Sequence, residues 1–310
     1  MLRISTFNVN GIRAAQRRGF TGWLNERDPD VVALQEMRCP LTELPRDAFG
    51  EHHLSYHPGT IPGRNGVAVL TREAPAAVRA WGEGSLVAHL DSDHPLTVEV
   101  DHSTLARELR HFADEGRYIE VDLADRPLTV ASLYLPKGGT PFSDEASLAK
   151  YQRKMRFLAG LARQLGRSRR AALAAGREFI VLGDFNVAHT RKDLKTWRTS
   201  QRSEGFLPEE REWFGSITSP RTLVDVVRRL HPDTDGPYSW WSWRGQSWAN
   251  DSGWRIDYHL ATPRLARAGV NGGTDRSVSY EARISDHSPV TVDYDLWDDG
   301  PASSTRPLVQ

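Results

Sequence analysis

Phe179-Ile180-Val181-Leu182-Gly183-Asp184-Phe185-Asn186-Val187-Ala188-His189 is the stretch on which the fold turns. Its four leading apolar residues read as a buried strand. The strand then delivers Asp184 and Asn186 two residues apart, which extended geometry puts on one face. A carboxylate beside an amide can hold and deprotonate a water while the amide fixes a neighbouring oxygen. The blander reading of the same residues is an Asx turn closing the strand.

Similar stretches recur along the chain. Leu2–Val9, Val31–Glu36, Gly66–Thr71, Tyr118–Leu123, Thr129–Leu135, Trp254–Ala261 and Val290–Leu296 are short, rich in Val, Ile, Leu or aromatics, and bounded by Gly, Pro or Asn. The best helix runs from Ser143, a plausible N-cap, to Leu165, with Leu148, Tyr151, Met155, Leu158, Ala162 and Leu165 spaced to share a buried face. More strands than helices in this order predicts an α/β protein with two packed sheets flanked by helices. The Arg- and Ala-rich stretch 166–176 lies between a helix and a strand of one core pattern and does not read as a linker. One domain is therefore expected over 1–296, with a loose tail over 297–310 carrying Pro301, Ser303, Ser304 and Pro307. Phe7-Asn8-Val9 and Phe185-Asn186-Val187 echo each other after apolar strands. Chance explains two three-residue strings, and so would two sheet edges facing one cleft.

The chain has 310 residues, 39% hydrophobic and 26% charged, the profile of a globular protein. Lys plus Arg and Asp plus Glu are 40 each, which excludes a wholly basic nucleic-acid coat protein but not a basic face. From Lys150 to Arg202 there are fourteen basic residues and three acidic ones, enough for a polyanion to bind, although an ordinary solvated helix face fits equally well. One cysteine, Cys39, excludes a Cys-rich zinc module and suits a reducing compartment. With no charged-then-apolar leader and no long apolar run, a cytoplasmic protein is expected, neither secreted nor membrane-spanning. Asn250-Asp251-Ser252 reads as a chance sequon.

Other polar residues stand at strand ends. Glu36 follows Val32, Ala33, Leu34 and Gln35, where a core strand would not place a charge; alone it reads as a salt bridge to Arg38. Oxygen ligands without thiols suit Mg²⁺ or Mn²⁺ better than zinc. Asp286-His287 precedes the last strand, and a His paired with a carboxylate is held in one tautomer and stabilised as the cation. Alone before a proline-bounded strand it reads as a turn residue. His52, His53 and His57 read as a loop without ligand spacing.

Six strings in order resemble the exonuclease III family of abasic-site endonucleases, within the endonuclease/exonuclease/phosphatase superfamily. They are Thr6-Phe7-Asn8-Val9-Asn10-Gly11-Ile12-Arg13, Leu34-Gln35-Glu36, Leu133-Tyr134-Leu135-Pro136, Gly183 to His189, Gly253-Trp254-Arg255-Ile256-Asp257-Tyr258 and Ser285-Asp286-His287-Ser288-Pro289. The resemblance implies a four-layer α/β sandwich and Mg²⁺-dependent cleavage 5′ to abasic sites in double-stranded DNA, leaving a 3′-hydroxyl. It also implies 3′→5′ exonuclease and 3′-phosphatase or phosphodiesterase activity, by a protein expected to act as a monomer. Glu36 would be the main metal ligand, with Asn8 nearby and Asp286 as a site carboxylate and second metal ligand. Asp184 would activate the water, Asn186 would position water and phosphate, and His287, paired with Asp257, would contact the scissile phosphate. Tyr134 would hydrogen-bond the phosphate or assist the leaving oxygen. Trp240, Trp254 and Ile256 would wall the pocket for a flipped abasic sugar, while at least one of Trp241 and Trp243 is expected in the core. Arg13, Lys137, Arg191, Lys192 and Lys195 would contact DNA.

The chain departs from that pattern at Met37-Arg38, where many members have Thr-Lys, and at Lys137, where several have an amide. Residues 86–110 look like an insertion, with acidic Asp91 and Asp93 and a short helix expected from Ser103 to Phe112. A nonspecific deoxyribonuclease, an inositol or lipid phosphoesterase, and a catalytically silent DNA-binding protein remain as alternatives.

Overall fold

A computed structural model describes residues 1–61, 63–81 and 105–296, with the backbone of two short strands between the last two ranges. In chain order the elements are β1 (Leu2–Asn8), α1 (Ile12–Arg17), α2 (Phe20–Arg27), β2 (Val31–Gln35), β3 (His53–His57), β4 (Val67–Thr71), β5 (Ala77–Ala80), β6 (Leu86–Val87), β7 (Leu96–Thr97), β8 (Tyr118–Asp122) and β9 (Leu128–Tyr134). There follow α3 (Glu145–Ala174), β10 (Glu178–Asp184), α4 (Pro208–Ile217), β11 (Val224–Asp225), α5 (Val226–Leu230), β12 (Asp257–Ala261), α6 (Pro263–Ala268), β13 (Gly269–Thr274) and β14 (Val290–Tyr294).

Two mixed sheets of six strands form, in the orders β13-β14-β1-β2-β4-β3 and β11-β12-β10-β9-β8-β5. Each has one parallel pair at its centre, β1 with β2 and β9 with β10. The sheets meet through alternate residues. Ile4, Ala33 and Val69 of one pack with Val121, Val130, Ile180 and Leu182 of the other. The intervening residues face outward under helices: Phe179 and Val181 join Phe157, Leu161 and Phe214, while Phe7, Val32 and Leu34 join Phe20 and Leu24. Strands apolar on both faces therefore make a four-layer sandwich, as the family resemblance implied. Each fully buried Leu, Ile, Val or Phe contributes about 1.5–3 kcal/mol of transfer free energy.

All eight expected strands form, but the β12 stretch pairs only from Asp257, and Trp254 makes isolated bridges to Leu194 and Trp240. Five further expectations are corrected. The helix α3 is capped by Asp144, whose Oδ1 accepts from the Ser147 main-chain N–H at 2.7 Å, and not by Ser143. It runs on through Gly166 to Ala174, because Ser168 and Ala172 continue its buried face. That face starts at Lys154, whereas Leu148 is 37% exposed. Apolar periodicity misplaced the stripe by skipping a lysine that is buried. His53 to His57 form a strand rather than a loop, with Leu54 and Tyr56 packed under α2. The expected Ser103–Phe112 helix is a 3₁₀ segment, Arg107–Glu115, with Leu109 and Phe112 against α3. Asp91, Asp93, Ser103 and the tail 297–310 lie outside the described residues. Among the described residues no helix is long and apolar enough to cross a membrane.

Candidate active site

One end of the two central strand pairs carries the polar residues. β10 can deliver Asp184 there because Gly183, at φ +137°, lies against β9; a Cβ on it would sit 2.0 Å from the Leu133 carbonyl oxygen. Just beyond the strand ends the chain turns through left-handed backbone at Asn10 (φ 48°), Glu36 (φ 51°), Arg38 (φ 50°) and Asn186 (φ 48°). Non-glycine residues in this region are costly and gather where a site imposes them.

The two echoed Phe-Asn-Val strings converge on one atom. Asn8 Nδ2 donates to Asp184 Oδ2 at 3.0 Å, and Asn186 Nδ2 donates to the same oxygen at 3.1 Å. Asn186 also donates its main-chain N–H to Asp184 Oδ1 at 2.8 Å, so the Asx turn and the paired polar face are both present. Asn8 Nδ2 donates as well to Glu36 Oε1 at 3.0 Å. Glu36 contacts Arg38, so its salt bridge and its place in the pocket coexist. His287 Nδ1 lies 2.8 Å from Asp257 Oδ2, and its Nε2 lies 3.7 Å from Asp184 Oδ2. Asp257 is held from behind by Ser239, whose Oγ accepts from the Asp257 and Ile256 main-chain N–H groups at 3.1 and 3.2 Å. Asp286 accepts from Asn10 Nδ2 at 2.8 Å and from Trp240 Nε1 at 3.1 Å.

Burial and charge set the protonation of this group. Burial raises the Asp184 carboxyl to about 7, against the pull of His287. Burial alone would lower His287, but Asp257, Asp184 and Asp286 surround it and raise it to about 10. The Tyr134 phenol is pushed well above its ordinary range by burial and by the neighbouring Glu36 and Asp184 carboxylates. The Arg117 guanidinium stacks over its ring at 5.2 Å.

These residues line a cavity of about 440 Å³ that contains Glu36, Tyr134, Lys137, Asp184, Asn186, Trp240, Trp254, Ile256, Asp286 and His287. Asn8 and Asp257 lie behind it, bonded to residues of the floor. Trp240 and Trp254 meet edge to face at 6.3 Å. Trp241 is buried beside Trp248, whereas Trp243 is half-buried. Of the expected DNA contacts, Lys137 lines the cavity, and Lys195, exposed, bonds through its main chain to Gly253 at 3.2 Å, next to Trp254. Arg13 pairs with Glu43, and Lys192 Nζ donates to the Pro232 carbonyl at 2.7 Å; Arg191 is exposed. Sequence reasoning missed Asn10, Arg117, Ser239 and the far wall, Ser203 to Gly205. Asn10 lies within the stretch from Thr6 to Arg13; the others carry no local signal.

Glu36 presents a hard carboxylate to the cavity. Among the described residues no three His, Cys, Asp or Glu side chains stand together as a cage for an ion. A hard cation that keeps water ligands and takes its other oxygens from a substrate phosphate fits this donor set; one needing a full protein cage does not.

A four-layer sandwich whose paired sheets end in a carboxylate–amide–histidine cluster beneath an aromatic pocket defines a class of phosphoester-hydrolysing enzymes. The chain belongs to the endonuclease/exonuclease/phosphatase family, whose model matches residues 5–287. It is 28% identical over 295 residues to the DNA repair nuclease APEX1 of Danio rerio, covering 94% of this chain and 81% of that protein. It is 27% identical over 295 residues to an exodeoxyribonuclease of Bacillus subtilis, covering 94% and 98%. An AP endonuclease from Archaeoglobus fulgidus superposes with a TM-score of 0.75 at 28% identity, covering 96% of this chain and all of that one.

Proposed function

We propose that the protein is a DNA repair nuclease that hydrolyses the phosphodiester 5′ to an abasic site and leaves a 3′-hydroxyl. The same site would remove 3′-terminal nucleotides and 3′-phosphates. The observation that carries this reading is the convergence of Asn8, Asn186 and His287 on Asp184 at the floor of a cavity walled by Trp240, Trp254 and Ile256. In it Asp184 takes a proton from water, whose oxygen attacks phosphorus. The bond from phosphorus to the 3′ oxygen breaks, and that oxygen receives a proton. Asn186 fixes the carboxylate that orients the water. His287, cationic through neutral pH, faces the charge that grows on the phosphoryl oxygens. Tyr134 stays protonated and so serves as a donor towards the leaving oxygen. Glu36 would hold Mg²⁺, with Mn²⁺ as the alternative; when bound, the cation polarises the phosphoryl group. The tryptophan pocket takes the flipped sugar, which is cheap to extrude because it carries no stacked base.

The test is a 5′-labelled duplex with one central tetrahydrofuran lesion, incubated with Mg²⁺ or EDTA beside an intact duplex. One Mg²⁺-dependent product cut just 5′ of the lesion is expected. A 3′ ladder on both duplexes would make exonuclease the main activity, and no cleavage with any metal would overturn the reading.

A further inference from the structure

Of the fourteen basic residues between Lys150 and Arg202, only Lys154 is fully buried. It forms an ion pair at 2.6 Å with Glu210 of α4, which is equally buried. Its ammonium also donates to the main-chain carbonyls of Asn186 at 2.9 Å and Lys137 at 3.1 Å. Asn186 and Lys137 both line the cavity. The third wall reaches the same point through the carboxylate: Glu210 Oε2 accepts from the Leu207 main-chain N–H at 3.0 Å, and Gly205 accepts from Ala188 at 2.8 Å. The close pass is built in, since a Cβ on Gly138, at φ +85°, would lie 2.5 Å from Lys154 Cδ. A buried lysine forgoes its hydration, so a purely structural position would favour an apolar residue. Here the charge stands where three loops of the site meet. It holds the carbonyl of a residue whose left-handed backbone needs an outside anchor.

We infer that Lys154, locked by Glu210, is a positioning residue: it fixes the Asn186 and Lys137 main chains so that the Asn186 amide keeps its bond to Asp184. This rests on the proposed function in taking Asp184 as the reacting carboxylate. Lys154 is not among the residues that line the cavity; it acts by placing Asn186.

The test is the pair Lys154→Met with Glu210→Gln. It removes both charges together, keeps an acceptor for Leu207, and leaves no buried carboxylate unpaired. With a near-normal melting temperature, kcat on the tetrahydrofuran duplex should fall about 10- to 100-fold, the loss typical of outer-shell partners, with KM little changed. In an Asn186→Ala background the same pair should cost almost nothing further. A folded double variant with normal kcat, or an equal loss in both backgrounds, overturns the inference. If the double variant fails to fold, Glu210→Gln alone is put through the same cycle. A smaller kcat loss that disappears beside Asn186→Ala is expected, and full kcat or an equal loss overturns the inference. A second readout needs no substrate. In ¹⁵N-labelled protein the Asn186 side-chain amide signals should shift or broaden in the variant, and unchanged signals would sink the idea. Wild-type protein that fails to cleave while those signals move would count against the function and not against the placement.

Discussion

Asp184 is a carboxylate that the fold makes uncomfortable. Burial raises it to about 7, and two side-chain amides with one main-chain N–H hold it in place. Asp184→Asn removes a buried charge while keeping shape, so its melting temperature should not fall. Cleavage should drop by about 10²–10⁴-fold, the range for a lost general base, with duplex affinity retained. Gel shifts beside cleavage assays check this; full activity would remove Asp184 from the mechanism. His287 responds in the opposite direction. Its folded value of about 10 lies above the ordinary 6.5, so its pairing adds stability that is complete below about pH 6.5 and lost as pH rises through 10. Asp257→Asn should bring the imidazole titration down by about 1–3 units. An NMR titration of its ring protons in EDTA reads this directly, and an unmoved curve would show that Asp257 is not the main partner.

At the scale of elements, β10 is the piece that must be right. A side chain at position 183 would collide with the Leu133 carbonyl, so Gly183→Ala should cost about 1–3 kcal/mol by urea denaturation. It should cost more activity than stability, since Asp184 is the next residue. The apolar strands were legible because period-two burial on both faces leaves continuous Val, Ile and Leu runs. β13 was not, because Gly269-Val270-Asn271-Gly272-Gly273-Thr274 pairs through its backbone and buries little. The true inward stripe of α3 was hidden for a related reason: Lys154 occupies an inward position, and a paired buried lysine looks like surface in sequence. In the site, residues within one string could be read together. Ser239 behind Asp257 and Glu204 across from Lys137 could not, because their partners come from distant segments. Trp254 tests the pocket as an element of its own. Trp254→Ala should hurt abasic cleavage more than 3′-phosphatase activity, and equal loss would move the pocket elsewhere.

For the whole molecule, net charge is zero, so any grip on a polyanion must come from where charges are placed. The basic stretch from Lys150 to Arg202 is not one surface. Lys154 is buried, Arg153 and Arg163 pair with Glu115 and Glu108, and Arg177 donates to the carbonyls of Leu128 and Arg126. Its later part is placed differently. Lys195 is tied to Gly253 beside the Trp254 wall, and Arg198 and Arg202 are exposed on the segment that leads into Ser203 to Gly205 of the cavity. Charges beside the cavity can meet phosphates flanking the lesion, whereas Arg163, halfway along α3, is already neutralised. Each phosphate contact releases counterions and adds about 0.9 to the magnitude of the slope of log affinity against log salt. Lys195→Gln and Arg198→Gln should therefore each flatten that slope by about 1 and weaken binding to lesion and intact duplexes alike, since phosphate contacts carry no sequence or lesion information. Arg163→Gln should leave the slope unchanged. Fluorescence anisotropy across a salt series with catalysis blocked by EDTA measures all three variants. A slope that falls for Arg163→Gln but not for Lys195→Gln would put the DNA along α3 instead of across the cavity mouth.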